Sequence, residues 1–140
     1  MKINVFYDNI TFRITGWRKI KKLVEKVISE ENNISGDLNF IITNDVVLKE
    51  MNMKFLKHNY FTDVISFNYN DQNNLIGEVF ISIDAVKRNA KNYKVSYRQE
   101  LLRVIIHGEL HICGYEDRNS VEKDNMRKRE EYWLGVYEKI

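Results

Sequence analysis

The stretch from Tyr97 to Cys113 leaves this chain the fewest choices. Only Gly108 disfavours a helix within it, and Leu101, Leu102, Val104, Ile105 and Ile106 make that helix apolar on nearly every side. A helix apolar all round belongs in the middle of a domain. Ser96 followed by Gln99 reads as a capping box at its start, and Gly114 stands where a left-handed residue ends it.

His107 and His111 lie four residues apart on this helix. At about 100° per residue their side chains are about 40° apart around the axis, on one face. Asp117 follows just past the glycine turn, so a chain folded this way can close three ligands around one ion. Imidazole and carboxylate both suit zinc, and three protein ligands leave a fourth position for water or substrate. A single buried histidine is more often a satisfied core residue than a ligand. A pair on adjacent turns with a third donor beyond a helix-ending glycine is much less often accidental. Cys113, about 200° round the helix from His111, points away and reads as a small buried hydrophobe.

The chain is long enough, at 140 residues, to form one domain with a core of its own, spanning 1–140. Its 44% hydrophobic and 30% charged residues are those of an ordinary soluble protein. One cysteine allows no internal disulfide, which fits a reducing compartment. The N-terminus enters a strand-like alternation with no apolar signal core, and no later run reaches membrane-spanning length. These features point to the cytoplasm and away from a membrane partner. A net charge of +2 is too small to argue for nucleic acid. Basic clusters at Arg18–Lys26, Lys87–Lys94 and Arg127–Arg129 can form a phosphate-binding surface, although most such clusters are solvated helix faces.

Taken in order, residues 2–7 alternate as a half-buried strand. Residues 16–31 carry Trp17, Ile20, Leu23, Val24, Val27 and Ile28 at helical spacing, and Asn32, Asn33, Ser35 and Gly36 break that helix. Leu38, Phe40 and Ile42 alternate in a second strand ending near Thr43. Asn44 or Asp45 then caps a helix through about Phe55. Residues 63–69 and 76–83 read as two more strands around a polar Asn70–Asn74 loop. Asp84 is read as the cap of a helix to about Tyr93, and Asn119 as the opening of a last helix. The pattern predicts an α+β domain: a mixed sheet of about four strands packed with about five helices, the central one buried and carrying the metal ligands.

The frame His107-x3-His111-x5-Asp117 matches the zinc proteases of the metzincin type. Those enzymes place a glutamate general base directly after the first histidine, where this chain has Gly108. Glu109 lies about 180° from the midpoint of the two histidines, which suits a structural role. Gly108 is expected to clear space beside the metal. The other candidate segment is Thr62-Asp63-Val-Ile-Ser66-Phe67, a turn ending in a cap and entering a strand. Lys57 and His58 precede it on a loop, as solvated residues or as contacts for phosphate.

His-Gly-x-Leu-His-x-x-Gly-Tyr, with the upstream Thr-Asp-Val-x-Ser-Phe and the strand Gly-Glu-Val-Phe-Ile-Ser, resembles the bacterial YbeY family. The motifs run in family order and spacing from about Leu48 to Met126 and Glu130. The resemblance implies a zincin-like α+β fold and one zinc ion on His107, His111 and Asp117, the last where most members have a third histidine. It implies a cytoplasmic, metal-dependent endoribonuclease specific for single strands. Such an enzyme acts in rRNA maturation, at the 3′ end of 16S rRNA, and in ribosome quality control, with the ribosome or its assembly factors as partners. Thr62, Asp63 and Ser66 match the family's second motif. Leu56 stands where most members carry an arginine that serves RNA binding or catalysis, and Lys57 or His58 are the nearby residues able to replace it.

Three functions follow. In an endoribonuclease, zinc polarises a phosphate oxygen or activates a water, with Asp63, Ser66, Lys57 and His58 as the residues nearest to acting in catalysis. In a non-catalytic ribosome-assembly or RNA-binding factor, the zinc is structural. In a metallopeptidase, the base missing at Gly108 must come from elsewhere.

Overall fold

The computed structural model of the protein describes residues 1–32 and 35–140. Its elements are β1 (Lys2–Tyr7), α1 (Trp17–Asn32), β2 (Ser35–Thr43), α2 (Asp45–Leu56), β3 (Val64–Asn68), β4 (Asn74–Ser82), α3 (Ile83–Tyr93), α4 (Tyr97–Ile112) and α5 (Ser120–Glu138). The expected α+β architecture is present. Asn33, read from sequence as one of the residues ending the first helix, lies outside the described residues.

The four-stranded sheet has the order β1-β2-β4-β3. β1 runs parallel to β2 and β2 to β4, whereas β3 pairs antiparallel with β4 from Val64 opposite Ile81 to Asn68 opposite Gly77. Parallel neighbours need a crossover, and α1 supplies it between β1 and β2. The short link between β3 and β4 is closed by Asp71, whose carboxylate accepts from the amides of Asn73 and Asn74. Strands β2 and β4 begin earlier than their alternation suggested, because ladder pairing from Ser35 opposite Asn74 carries the polar starts with it.

Helix α1 buries Ile20, Leu23, Val24, Val27 and Ile28, the stripe its spacing predicts. Helix α4 buries Leu101, Leu102, Val104, Ile105, Ile106, Leu110 and Ile112, and packs against β3, β4, α1, α3 and α5. Its start is capped by Ser96 Oγ, which accepts from the Gln99 amide at 3.1 Å. Its end is a Schellman turn: the Tyr115 amide donates to Leu110 O and the Gly114 amide to His111 O, with Gly114 at φ +107°. Beyond the backbone turn, the side-chain amides of Asn68 and Asn70 both donate to Ile112 O, so the edge strand and its loop satisfy a terminal carbonyl.

Two expected details change. Helix α3 is capped by Ser82, whose hydroxyl accepts from Ala85 N. Asp84 sits two residues further on, in the first turn, and accepts from the Asp45 amide, bridging α3 to the start of α2. The second change concerns Gly108. A Cβ there would lie 2.5 Å from Val79 Cγ1 and 3.1 Å from Val64 Cγ2. The bare Cα therefore faces the sheet and does not open room beside the histidines. Across the same contact, a Cβ on Gly77 would lie 2.7 Å from Ile112 Cδ1. Paired glycines on β4 and α4 thus let the helix lie close to the sheet.

Candidate metal centre

The last two turns of α4 carry His107 and His111 on the strip of the helix that neither sheet nor helices cover, their side chains 18% and 24% exposed. The Schellman turn sends the chain back past that strip and brings Asp117 to it. His107 Nε2 and His111 Nε2 lie 3.1 Å apart, and Asp117 Oδ2 is 3.4 Å from each. Three donors about 2.0–2.1 Å from a tetrahedral centre stand about 3.3–3.4 Å from one another. The observed triangle has that size, and its chemistry, two imidazoles and a carboxylate, suits a divalent ion such as zinc. Cys113 is not part of the donor group. Burial, and then the charges of Glu109 and Glu31, push its thiol pKa upward.

Each imidazole is fixed from behind. His107 Nδ1 lies 2.6 Å from Glu130 Oε2, and His111 Nδ1 lies 2.9 Å from the Tyr115 carbonyl oxygen. Both partners accept, so both Nδ1 atoms carry the proton and both Nε2 lone pairs point to the shared centre. Glu130 is itself held by Arg103, whose guanidinium donates to Glu130 Oε1 at 3.2 Å and to both oxygens of Glu100 at 2.8 and 2.6 Å. Hydrogen bonds to Glu100 raise the Arg103 pKa above its ordinary value, so the cation is permanent. Sequence reasoning did not assign Glu130 a role. A signal existed: Met126, Glu130, Trp133 and Tyr137 form the buried stripe of α5, with a carboxylate where an apolar residue belongs.

The residues match the family model described as Endoribonuclease YbeY from 7 to 138. The chain belongs to the YbeY endoribonuclease family. It is 40% identical to the Endoribonuclease YbeY of Amoebophilus asiaticus over 136 residues, 95% of this chain and 92% of that one. It is 39% identical to that of Karelsulcia muelleri over 98% of this chain and 96% of the other. The solution structure of TM1509 from Thermotoga maritima superposes with a TM-score of 0.65 at 26% identity, over 96% of this chain and 88% of that one. The likeness reaches well beyond the 48–130 region that carries the motifs.

Two clefts meet at the triad of this YbeY-family chain. One, of about 570 Å³, is lined by His107, His111 and Asp117 together with Leu56, His58, Tyr60, Thr62, Asp63 and Ser66. The segment singled out from sequence is therefore brought to the histidines, although Lys57 is not in the lining. Lys57 instead ends α2 in the left-handed conformation, at φ 58°. The other cleft, of about 760 Å³, shares His107 and Asp117 and contains Arg103, Lys123 and Arg127.

The individual groups are already engaged. Ser66 Oγ donates to Gly108 O at 3.0 Å and ties β3 to the histidine helix. Asp63 Oδ2 accepts from Asn89 at 3.2 Å and lies 3.7 Å from Arg103. Thr62 Oγ1 donates to Val64 O at 3.4 Å within the turn. Glu109 is fully buried away from the triad, and neither carboxylate oxygen has a hydrogen-bond partner among the described residues. Burial, with Glu31 nearby, holds its pKa well above the ordinary carboxylate value.

Proposed function

We propose that this chain, working as one domain over 1–140, is a metal-dependent endoribonuclease that cuts single-stranded RNA. The proposed site holds one zinc ion on His107, His111 and Asp117. The proposed setting is cytoplasmic rRNA maturation, at the 3′ end of 16S rRNA, and ribosome quality control, with the ribosome or its assembly factors as partners. The observation that carries the reading is the His–His–Asp triangle, of tetrahedral size, on the central helix of a YbeY-family fold.

A divalent ion supplies Lewis acidity toward a phosphodiester oxygen. The chain's own groups prepare the place for it. Glu130 and the Tyr115 carbonyl keep both Nδ1 atoms protonated and both rings oriented. Arg103 holds Glu130 in position beside His107. The two clefts give an extended strand a path across the triad. Metallopeptidase chemistry lacks its base, since Gly108 faces the sheet and Glu109 is buried on the far side. The assembly-factor reading draws on Leu56, which puts an apolar residue at the rim of the first cleft.

The test is elemental analysis of gently purified protein, paired with cleavage of an unstructured RNA. About one zinc per chain and chelator-sensitive cleavage, both lost in His111→Ala and Asp117→Ala, are expected. Zinc retained in both variants would overturn the ligand assignment. A zinc-loaded wild type that leaves unstructured RNA intact would overturn the enzyme reading in favour of an assembly factor.

A further inference from the structure

The aromatic rim of the first cleft is unexplained by the metal chemistry. Tyr60 is more than half exposed and, with His58, lines the cleft that contains His107, His111 and Asp117. Its ring stacks on His58, with centroids 5.1 Å apart and planes inclined by 16°, and its hydroxyl shares a 2.9 Å hydrogen bond with His58 Nδ1. Stacking on the imidazole takes up one face of the phenol ring and fixes the orientation of the other.

That face is held in place from beneath. Asn52, only 2% exposed on the inner side of α2, accepts at its backbone oxygen from the amides of Lys57 and His58. Its side-chain amide donates to Tyr60 O at 3.0 Å. Asn52 thus fixes both ends of the segment that carries the two rings, by its backbone oxygen at one and its buried side-chain amide at the other, and burial makes the side-chain tie costly to break. From Tyr60 the chain passes through Thr62 and Asp63 into β3, whose Ser66 is bonded to the histidine helix. The stacked pair and the triad stand on one connected scaffold.

Charge then selects what fits this wall. The residues lining the cleft include Asp63, Glu116 and Asp117, and among the described lining residues there is no lysine or arginine. Arg103, Lys123 and Arg127 stand in the other cleft together with Glu100, Glu130 and Glu131, Arg103 paired with Glu100 and Glu130 and Arg127 with Asp124. A strand lying across the triad therefore meets donors of Lys123 and of two paired guanidiniums on one side and the stacked rings on the other. Sequence-tolerant binding of single strands combines those two features, a charged groove for the backbone and rings on which bases stack. The cleft volume of about 570 Å³ suits a small planar group.

We propose that Tyr60, stacked on His58, is the platform for an unpaired nucleobase beside the cleavage site, and that it is a determinant of single-strand specificity. A base in a duplex has both faces covered by its neighbours and cannot lie on this ring without leaving the stack. The proposal rests on the endoribonuclease reading and names the residue that selects its substrate.

The test measures binding of the zinc-loaded protein to a fluorescent, non-cleavable 2′-O-methyl RNA with unpaired bases, and to the same backbone lacking bases. Tyr60→Ala is expected to weaken binding to the base-bearing strand by about 5- to 150-fold, the span of one stacked base. Tyr60→Phe should retain wild-type affinity, and the strand lacking bases should bind wild type and Tyr60→Ala alike. The loss should be the same at low and high salt, because stacking releases no counterions. Tyr60 is 55% exposed, and zinc content and thermal unfolding of the variants report on folding separately. Equal affinity of wild type and Tyr60→Ala, with ordinary RNA still cleaved, overturns the platform and leaves the endoribonuclease reading standing. An equal loss on the strand lacking bases also overturns it, by removing the base as the recognised group. A wild type that neither binds nor cleaves RNA overturns both.

Discussion

Gly108→Ala separates two explanations of the residue after the first histidine. The added methyl carbon would lie 2.5 Å from Val79 Cγ1, 3.1 Å from Val64 Cγ2 and 3.3 Å from Ser66 Oγ. Val79 is fully buried in β4, and its branched side chain has few alternative rotamers. Relief therefore requires α4 to rise from the sheet, stretching the Ser66–Gly108 hydrogen bond. Overpacking of this kind costs about 1–3 kcal/mol, and the severity of the Val79 contact places it at about 2–3 kcal/mol. Alanine recovers about 1 kcal/mol through its better helix propensity. The net expectation is a loss of about 1–2 kcal/mol, or a fall of about 3–8 °C in Tm. In the background of Val79→Ala, which vacates the colliding methyl, Gly108→Ala should cost nothing or stabilise, and a double-mutant cycle reads that coupling. Thermal unfolding of the four proteins, each with its zinc content measured, is the assay. A glycine kept only to leave room for substrate predicts the reverse, a Tm unchanged or raised with cleavage lost. That result would refute the packing argument.

Removing the acceptor behind His107 in Glu130→Leu should weaken zinc affinity by about 10–100-fold, read by chelator competition; unchanged affinity would show that ring orientation does not depend on this bond. Glu109→Leu removes two buried oxygens without hydrogen-bond partners among the described residues and should raise stability by about 1–3 kcal/mol in thermal or denaturant unfolding. A drop in stability would reveal a partner for that carboxyl. Glu31 is opposed by burial, but hydrogen bonds from Tyr115, Trp133 and Arg129 prevail and hold its pKa below the ordinary value. Its contribution is present above the unfolded pKa of about 4.3 and is lost as pH falls through the lower folded value. Glu31→Gln should therefore flatten the acid side of a Tm–pH profile, and parallel profiles would contradict the assignment. Leu56→Arg places a cation on a cleft wall that has none among its described residues, so RNA affinity should rise and its log–log salt slope should steepen by about 0.7. An unchanged slope would mean that the backbone does not pass that wall.

Much of this was legible because one helix declared itself twice. Residues 101–112 are apolar all round, which demanded burial, and the two histidines interrupt that surface at one angular position, which marked the strip that faces a cleft. The caps were equally local: Ser96, Asn44 and Asn119 each accept from an amide three residues on, within the chain's own turn. What a helical wheel cannot say is which neighbour stands opposite a given face. It placed Gly108 beside the histidines in sequence and left open that β4 would fill the space with Val79. Glu130 was missed for the same reason, since its bond to His107 joins residues 23 apart in the chain. Asp84 misled because Ser82, two residues earlier, reached the same helix start with a better-placed oxygen.

The position of the site follows from how α4 is covered. The sheet presses on its glycine face, and α1, α3 and α5 pack against it. The histidine strip lies open, bordered by the edge strand β3 and by α5. An edge strand this short, five residues paired on one side only, leaves its other flank free to wall a cleft. The buried part of α4 then works as a rigid mount, and the groups that aim the two imidazoles come from different elements: Glu130 from α5 and the Tyr115 carbonyl from the turn that ends α4. Both Nε2 atoms are set by contacts made when the core closes. An ion bound at this triangle would therefore meet donors already oriented, with the ordering cost met in folding rather than in binding. Asp117 is the exception, at 39% side-chain exposure on the segment between α4 and α5. Its carboxylate is the part of the triangle that has most to gain from the ion.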